Sequence, residues 1–199
     1  MASAQRVEAE EALLDAAERL LVSVGHAAIT TRVLAKEAGV NHGLVHYYFG
    51  SMENLLLRVL ERFTDQLIER QRAMYAADVP FLEKWRTAMA FLDEDIAAGY
   101  PKIWFELQAM AWNNAEFAEP VAKVDAEWRA VLTDAFSDAM RAYGVDKRRF
   151  PVDAVVSLVM TFNQGMMLER LSGISSGHRE LLAMIDRLFV SLERARGKA

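Results

Sequence analysis

Apolar residues recur at intervals of three and four along almost the whole chain, and no stretch alternates apolar and polar positions for long enough to make a strand. This pattern predicts an all-α fold of about nine helices. Leu13, Leu14, Ala17, Leu20, Leu21 and Val24 mark one face of a helix from about Gln5 to Val24. Acidic residues in its opening turns suit the positive end of the helix dipole, and Gly25 ends it. This helix reads as scaffold.

The stretch on which the rest is arranged is TTRVLAKEAGVNHGLVHYYFGSM, residues 30–52. It predicts two short helices joined by a tight turn, then the start of a third. Leu34, Ala38, Val40, Val45 and Tyr48 or Phe49 hold the apolar positions, with the spacing reset across the turn. Ala35 is small where the two helices come closest, and Gly39 can take the left-handed conformation of a sharp helix exit. With Val45 six residues beyond that glycine, this is helix-turn-helix spacing. Thr30 or Thr31 can cap the first helix and Asn41 the second, leaving His42, Gly43, Leu44, His46 and Tyr47 facing outward.

Ser51 can then cap a long helix with Leu55, Leu56, Val59, Leu60, Phe63, Leu67 and Met74 toward the core. It leaves the N-terminal module and continues into a second domain, so it can act as a lever between them. Pro80, Pro101, Pro120 and Pro151 each precede an apolar helical pattern, as proline does in a first turn. They predict helices over about 81–98, 101–114, 120–143 and 151–172, with a last one over 178–196. Residues 152–171 are apolar on all sides, which requires burial against several neighbours. The final helix adds an apolar stripe. Together they predict a homodimer built as a four-helix bundle, with Val155, Val159, Phe162, Met166, Leu181, Ile185, Leu188 and Leu192 at the interface. The alternative is that both helices bury within one chain.

Composition narrows the picture. The 199 residues are 53% hydrophobic and 26% charged, ordinary for a soluble globular protein. No apolar run reaches the length of a membrane span, the acidic N-terminus does not resemble a secretory signal, and a cytoplasmic location is expected. Without cysteine there is no disulfide or thiolate chemistry. Net charge is −5, and in the first 50 residues four cations stand against six carboxylates. The basic footprint that usually announces DNA binding is missing.

The run AKEAGVNHGLVHYYFGSMENLL resembles the DNA-binding module of TetR-family transcriptional regulators. The resemblance is strong over about Glu10 to Leu60 and extends to the remainder only as length and helical pattern. It implies a DNA-binding domain over residues 1–52 and a ligand-binding and dimerisation domain over 53–199. It further implies that Thr31 and Arg32 hold phosphate, while His42, Gly43, Leu44, His46, Tyr47 and Tyr48 face the major groove or its walls. Tyrosine hydroxyls can donate to phosphate, and Leu44 can touch a thymine methyl. Two residues depart from the family pattern: His46 replaces a usual tyrosine and Met52 a phosphate-binding lysine. An alternative for His42 and His46, one turn apart, is zinc binding, but Gly43 stands where a metalloprotease needs glutamate and no third ligand is evident.

Candidate effector-binding residues are Trp85, Met89, Trp104, Phe105, Gln108, Trp112, Trp128, Asn163 and Met167. Aromatic and methionine side chains line adaptable apolar cavities, although at helical spacing they also make plain core. Gln108 and Asn163 are amides among them that need a partner, from ligand or protein. No nucleophile elbow, P-loop or dinucleotide fingerprint occurs, so an enzyme is not expected and no cofactor is implied. Glu106 and the run Asp93–Glu94–Asp95 read as solvated helix faces. The expectation is a ligand-responsive regulator, most simply a repressor, which binds a palindromic operator in double-stranded DNA and is released by an apolar or amphipathic small molecule. The alternatives are a helical small-molecule-binding protein or a dimeric interaction protein, in either case with a degenerate helix-turn-helix.

Overall fold

Side-chain caps set where the short helices begin in the computed structural model, which describes the backbone of residues 2–197 and the side chains of residues 6–197. Thr30, in extended conformation, accepts from the Val33 amide at 3.2 Å and starts α2, Thr31–Ala38. The helix ends at Gly39, whose φ of 69° lets the chain reverse. The Asn41 side chain accepts from the Gly43 amide at 2.9 Å and opens α3, Gly43–Phe49. Ser51 Oγ accepts from the Asn54 amide at 3.1 Å and opens α4, Met52–Ala76. The Asn54 amide group in turn donates to the Phe49 carbonyl at 3.0 Å, tying the end of α3 to the start of α4.

Ahead of these stand α1, Ala2–Val24, and a single 3-10 turn, His26–Ala28. After them come α5 (Phe81–Ala98), α6 (Tyr100–Ala111), α7 (Ala115–Ala142), α8 (Val152–Leu171) and α9 (His178–Arg196). Nine α-helices and no strand are found among the described residues. Pro80, Pro101 and Pro151 sit at helix starts as expected. Pro120 does not: it lies inside α7. The helix begins earlier because Asn114 caps it, its side chain accepting from Glu116 at 3.0 Å and its carbonyl from Phe117 at 3.1 Å. A proline one turn in removes only the partner of the Glu116 carbonyl, on an exposed residue.

The chain forms two compact units. The first comprises the chain through Gln66 together with Gly99–Val124. Its core joins Leu13, Leu14, Ala17, Leu20 and Leu21 of α1 to Leu34, Ala35, Val45 and Phe49 and to Leu55, Leu56, Val59, Leu60 and Phe63 of α4. Val24, at the end of α1, is exposed. α6 adds the buried Ile103 and Leu107 and closes on the end of α1. Lys102 Nζ donates to the Val22 carbonyl at 2.6 Å, placing a cation at the negative end of that helix. Glu106 is not a solvated face residue: its carboxylate accepts from the His26 amide and lies 3.1 Å from His26 Nδ1.

The second unit comprises Leu67–Ala98 and the chain from Asp125 onward. Phe81, Leu132, Phe136, Ala139, Val156 and Met160 form its core, with Trp128, Val155, Val159 and Phe189 packed around them. The acidic run in α5 is not simply solvated either. Asp93 pairs with Arg170, and Asp95 pairs with Arg70 at 2.6 Å. Burial pushes the Asp95 carboxyl above its ordinary range, against the pull of the Arg70 guanidinium.

Gly99 is where α6 must be glycine. Its φ is +83°, and a Cβ there would stand 2.5 Å from Val22 Cγ1, a stiff β-branched carbon. Left-handed strain and overpacking together predict that Gly99→Ala lowers stability by about 2–4 kcal/mol. A urea midpoint unchanged from wild type would contradict this packing.

Candidate nucleic-acid interface

The outer face of α3 is set by what its inner face buries. Val45 and Phe49 are in the core, so His42, Gly43, His46 and Tyr47 are exposed and Leu44 half-buried. Tyr47 is 65% exposed, and its ring meets that of Tyr48 edge to face at 5.0 Å. Tyr48 is half-buried beside Phe49. In α2, Thr31 is half-buried at the first turn and Arg32 is exposed. The sequence-predicted DNA-binding residues therefore lie on α2, on α3 and, for His42, at the residue that precedes α3.

His46 is held more tightly than its exposure suggests. Its Nδ1 lies 3.0 Å from the Gly50 carbonyl, which can only accept, so Nδ1 carries the proton. The neutral ring then carries its lone pair on Nε2, which can accept a hydrogen bond; a protonated ring donates there instead. With His42 it forms no group of three or more metal-binding side chains among the described residues.

The candidate effector residues divide between the units. Trp104, Phe105 and Gln108 are half-buried on α6 in the first unit, and Trp112, at the end of that helix, is 76% exposed. In the second unit, Trp85 is buried against Phe162 and Phe189, and Trp128 packs on the core around Phe81. Met89, Asn163 and Met167 are half-buried, and Asn163 Oδ1 is buried without a hydrogen-bond partner. Of the candidate interface residues, Val155 and Val159 pack inward on that core and Met166 is 4% exposed. Phe162, Leu181, Ile185 and Leu192 are half-buried, and Leu188 is exposed. The large apolar side chains that α8 and α9 leave open are Leu158, Leu168, Leu171, Met184 and Leu188.

Two features were missed in the sequence. Gln71 is buried at 8% exposure with its Oε1 unpartnered. The signal was present, since Thr64 and Gln71 continue the buried row of Leu60 and Ile68. The Arg6 guanidinium lies over the Tyr47 and Tyr48 rings, a cation–π contact between residues too far apart for any local pattern to connect.

Residues 13–59 match the family model for bacterial regulatory proteins of the tetR family. EthR of Mycobacterium tuberculosis, an HTH-type transcriptional regulator, is 28% identical over 166 residues, covering 82% of this chain and 76% of EthR. FadR of Bacillus subtilis, solved in complex with stearoyl-CoA, superposes with a TM-score of 0.74 at 17% identity, covering 91% of this chain and 97% of FadR. A regulator from Saccharomonospora viridis, solved in complex with choline, gives 0.73 at 16% identity, covering 93% and 96%. At these identities the two structures establish a shared fold. A helix-turn-helix with an open second helix, carried on such an all-helical chain, defines a DNA-binding transcriptional regulator. Residues 13–59 are thus a DNA-binding module of the TetR family, on a chain whose fold is shared with regulators of that family. Proteins of this family act by binding DNA and are not enzymes. Among the described residues no helix is long and apolar enough to cross a membrane.

The hydrogen bond to Gly50 makes the Nδ1–H form the expected neutral tautomer of His46. Long-range proton–nitrogen NMR correlations report it directly, and an Nε2–H pattern would count against this geometry.

Proposed function

We propose that this chain is a homodimeric repressor acting in the cytoplasm, which binds a palindromic operator and leaves it when a small molecule binds. The observation that carries the DNA-binding part is the exposed face of α3, which presents donors and acceptors from a buried scaffold. In this reading His42, His46 and Tyr47 meet bases or groove walls, Gly43 allows close approach, Leu44 touches a thymine methyl, and Tyr48 stands at the groove wall. Thr31 and Arg32 hold phosphate at the start of α2. Two-fold symmetry supplies paired half-sites.

The open apolar residues support the dimer. Leu158 and Leu168 on α8, with Met184 and Leu188 on α9, are more than half exposed. The exposed positions 154, 158, 161, 165 and 168 of α8 follow the alternating four-and-three spacing of a bundle seam.

The effector reading rests on buried polar atoms without partners, among them the Arg70 Nε donor and three acceptors. Gln71 Oε1, Asp95 Oδ1 and Asn163 Oδ1 are buried and unpartnered in the second unit. Leaving such a group unpaired costs about 1–3 kcal/mol, so a ligand with an apolar body and N–H or O–H groups gains by meeting it. To release DNA, the effector must bind the released conformation better than the DNA-bound one. α6, which holds Val22 and His26, follows α5 in the chain after the single residue Gly99.

Selection of bound duplexes from genomic DNA at low salt tests the reading. A defined duplex should emerge, and Tyr47→Ala should weaken its binding by roughly tenfold. An effector that binds the protein yet leaves this affinity unchanged would contradict the release mechanism. Leu188→Glu should shift the protein to monomer in sedimentation equilibrium and weaken operator binding with it. A dimer of unchanged stability would place the interface elsewhere.

A further inference from the structure

From His42 to Met52 the chain carries no lysine or arginine. The fold brings one there from α1. The guanidinium carbon of Arg6 lies 5.6 Å from the Tyr47 ring centroid and 5.9 Å from that of Tyr48. The two rings are inclined at 75°, so the cation occupies the angle between them. Both Arg6 and Tyr47 are exposed, which puts this corner on the surface beside His46.

Three properties make the corner fit an anion. A guanidinium held beside aromatic rings by cation–π attraction spends no N–H donor on them, and its donors form a fixed fork that matches two oxygens. Its charge is uncommitted: Arg6 has no ion pair among the described residues, although Glu8, Glu10 and Glu11 follow within five positions. Glu11, Asp15 and Glu18 are instead gathered by Arg62 of α4, at 2.8, 2.9 and 2.6 Å. The tyrosine hydroxyl adds a donor for the same kind of oxygen.

We infer that Arg6 and Tyr47 form one clamp for a phosphodiester oxygen of the DNA backbone, fixing the C-terminal half of α3 against the strand. The inference rests on the DNA-binding reading above. The clamp offsets Met52, which stands where the family resemblance expects a phosphate-binding lysine. It also gives a cation to a DNA reader whose first 50 residues are net negative, because Glu11, Asp15 and Glu18 of α1 are held by Arg62 while Arg6 faces α3.

The test uses the full-length protein on the duplex selected from genomic DNA and on an unrelated duplex. Affinities are read across a salt series for wild type, Arg6→Ala, Arg6→Gln and Arg6→Lys, each first matched to wild type by circular dichroism and sedimentation. Both neutral variants should bind roughly tenfold more weakly on either duplex, because a phosphate contact is blind to sequence. The slope of log affinity against log salt should fall by about two for a dimer, near 0.9 for each lost phosphate contact. Arg6→Lys should recover most of that slope. An unchanged slope in the neutral variants overturns the clamp, whether affinity is kept or lost; loss without a slope change would mean that Arg6 merely orients the tyrosines. A wild-type protein that binds no duplex at all overturns the regulator reading and the clamp with it.

Discussion

A seven-residue helix cannot sustain itself in water, and α3 is such a helix, opened by a glycine. Its existence depends on burying Val45 and Phe49 in the core of the first unit, each contributing about 1.5–3 kcal/mol. Asn41 at one end, with the carbonyls of Phe49 and Gly50 taken by Asn54 and His46 at the other, leave it little freedom to slide or turn. The outward direction of His42, His46 and Tyr47 is thus a property of the core beneath them. A reading surface placed this way costs no ordering when it meets a ligand.

The same core reaches further along the chain than the helix-turn-helix. Residues 99–124 belong to the first unit, and α6 meets the end of α1 through Gly99, Lys102 and Glu106, spaced along one helix face. Two of these contacts answer groups that a helix end leaves unpaired or charged: the Val22 carbonyl at the exit of α1 and the His26 amide that follows. A helix remote in sequence therefore completes the setting in which α2 and α3 are placed.

Charge is managed locally in a chain with a net charge of −5. Arg62 draws three carboxylates of α1 to one side, and Arg19 pairs with Glu37. Exposed pairs of this kind add about 0–1 kcal/mol each to stability, so their larger consequence is where they leave charge unpaired. In the second unit the balance differs. Asp95 is ionised only against a desolvation penalty, and its unpartnered oxygen lies in the same unit as the buried amide oxygens of Gln71 and Asn163. Polar atoms left so in an apolar interior are where a bound molecule can change the energy most.

Helix number, the boundaries of most helices and the helix-turn-helix were legible in the sequence, because each depends on spacing and caps within a few residues. Thr30, Gly39, Asn41 and Ser51 act locally, and the apolar rows of α1 and α4 repeat within a single turn. Where a local rule met a competing local signal it failed: Asn114 started α7 before Pro120 could. The remaining features join residues distant in sequence, which no periodicity encodes. Glu106 and Asp95 looked like solvated face residues until packing brought His26 and Arg70 to them. Composition alone left α3 without a cation; only the path of α1 across the tyrosines puts Arg6 beside it. The sequence by itself determined which face of α3 is left open, since burial of Val45 and Phe49 follows from their spacing. The tertiary structure decided which charges share that face, since those charges come from another helix.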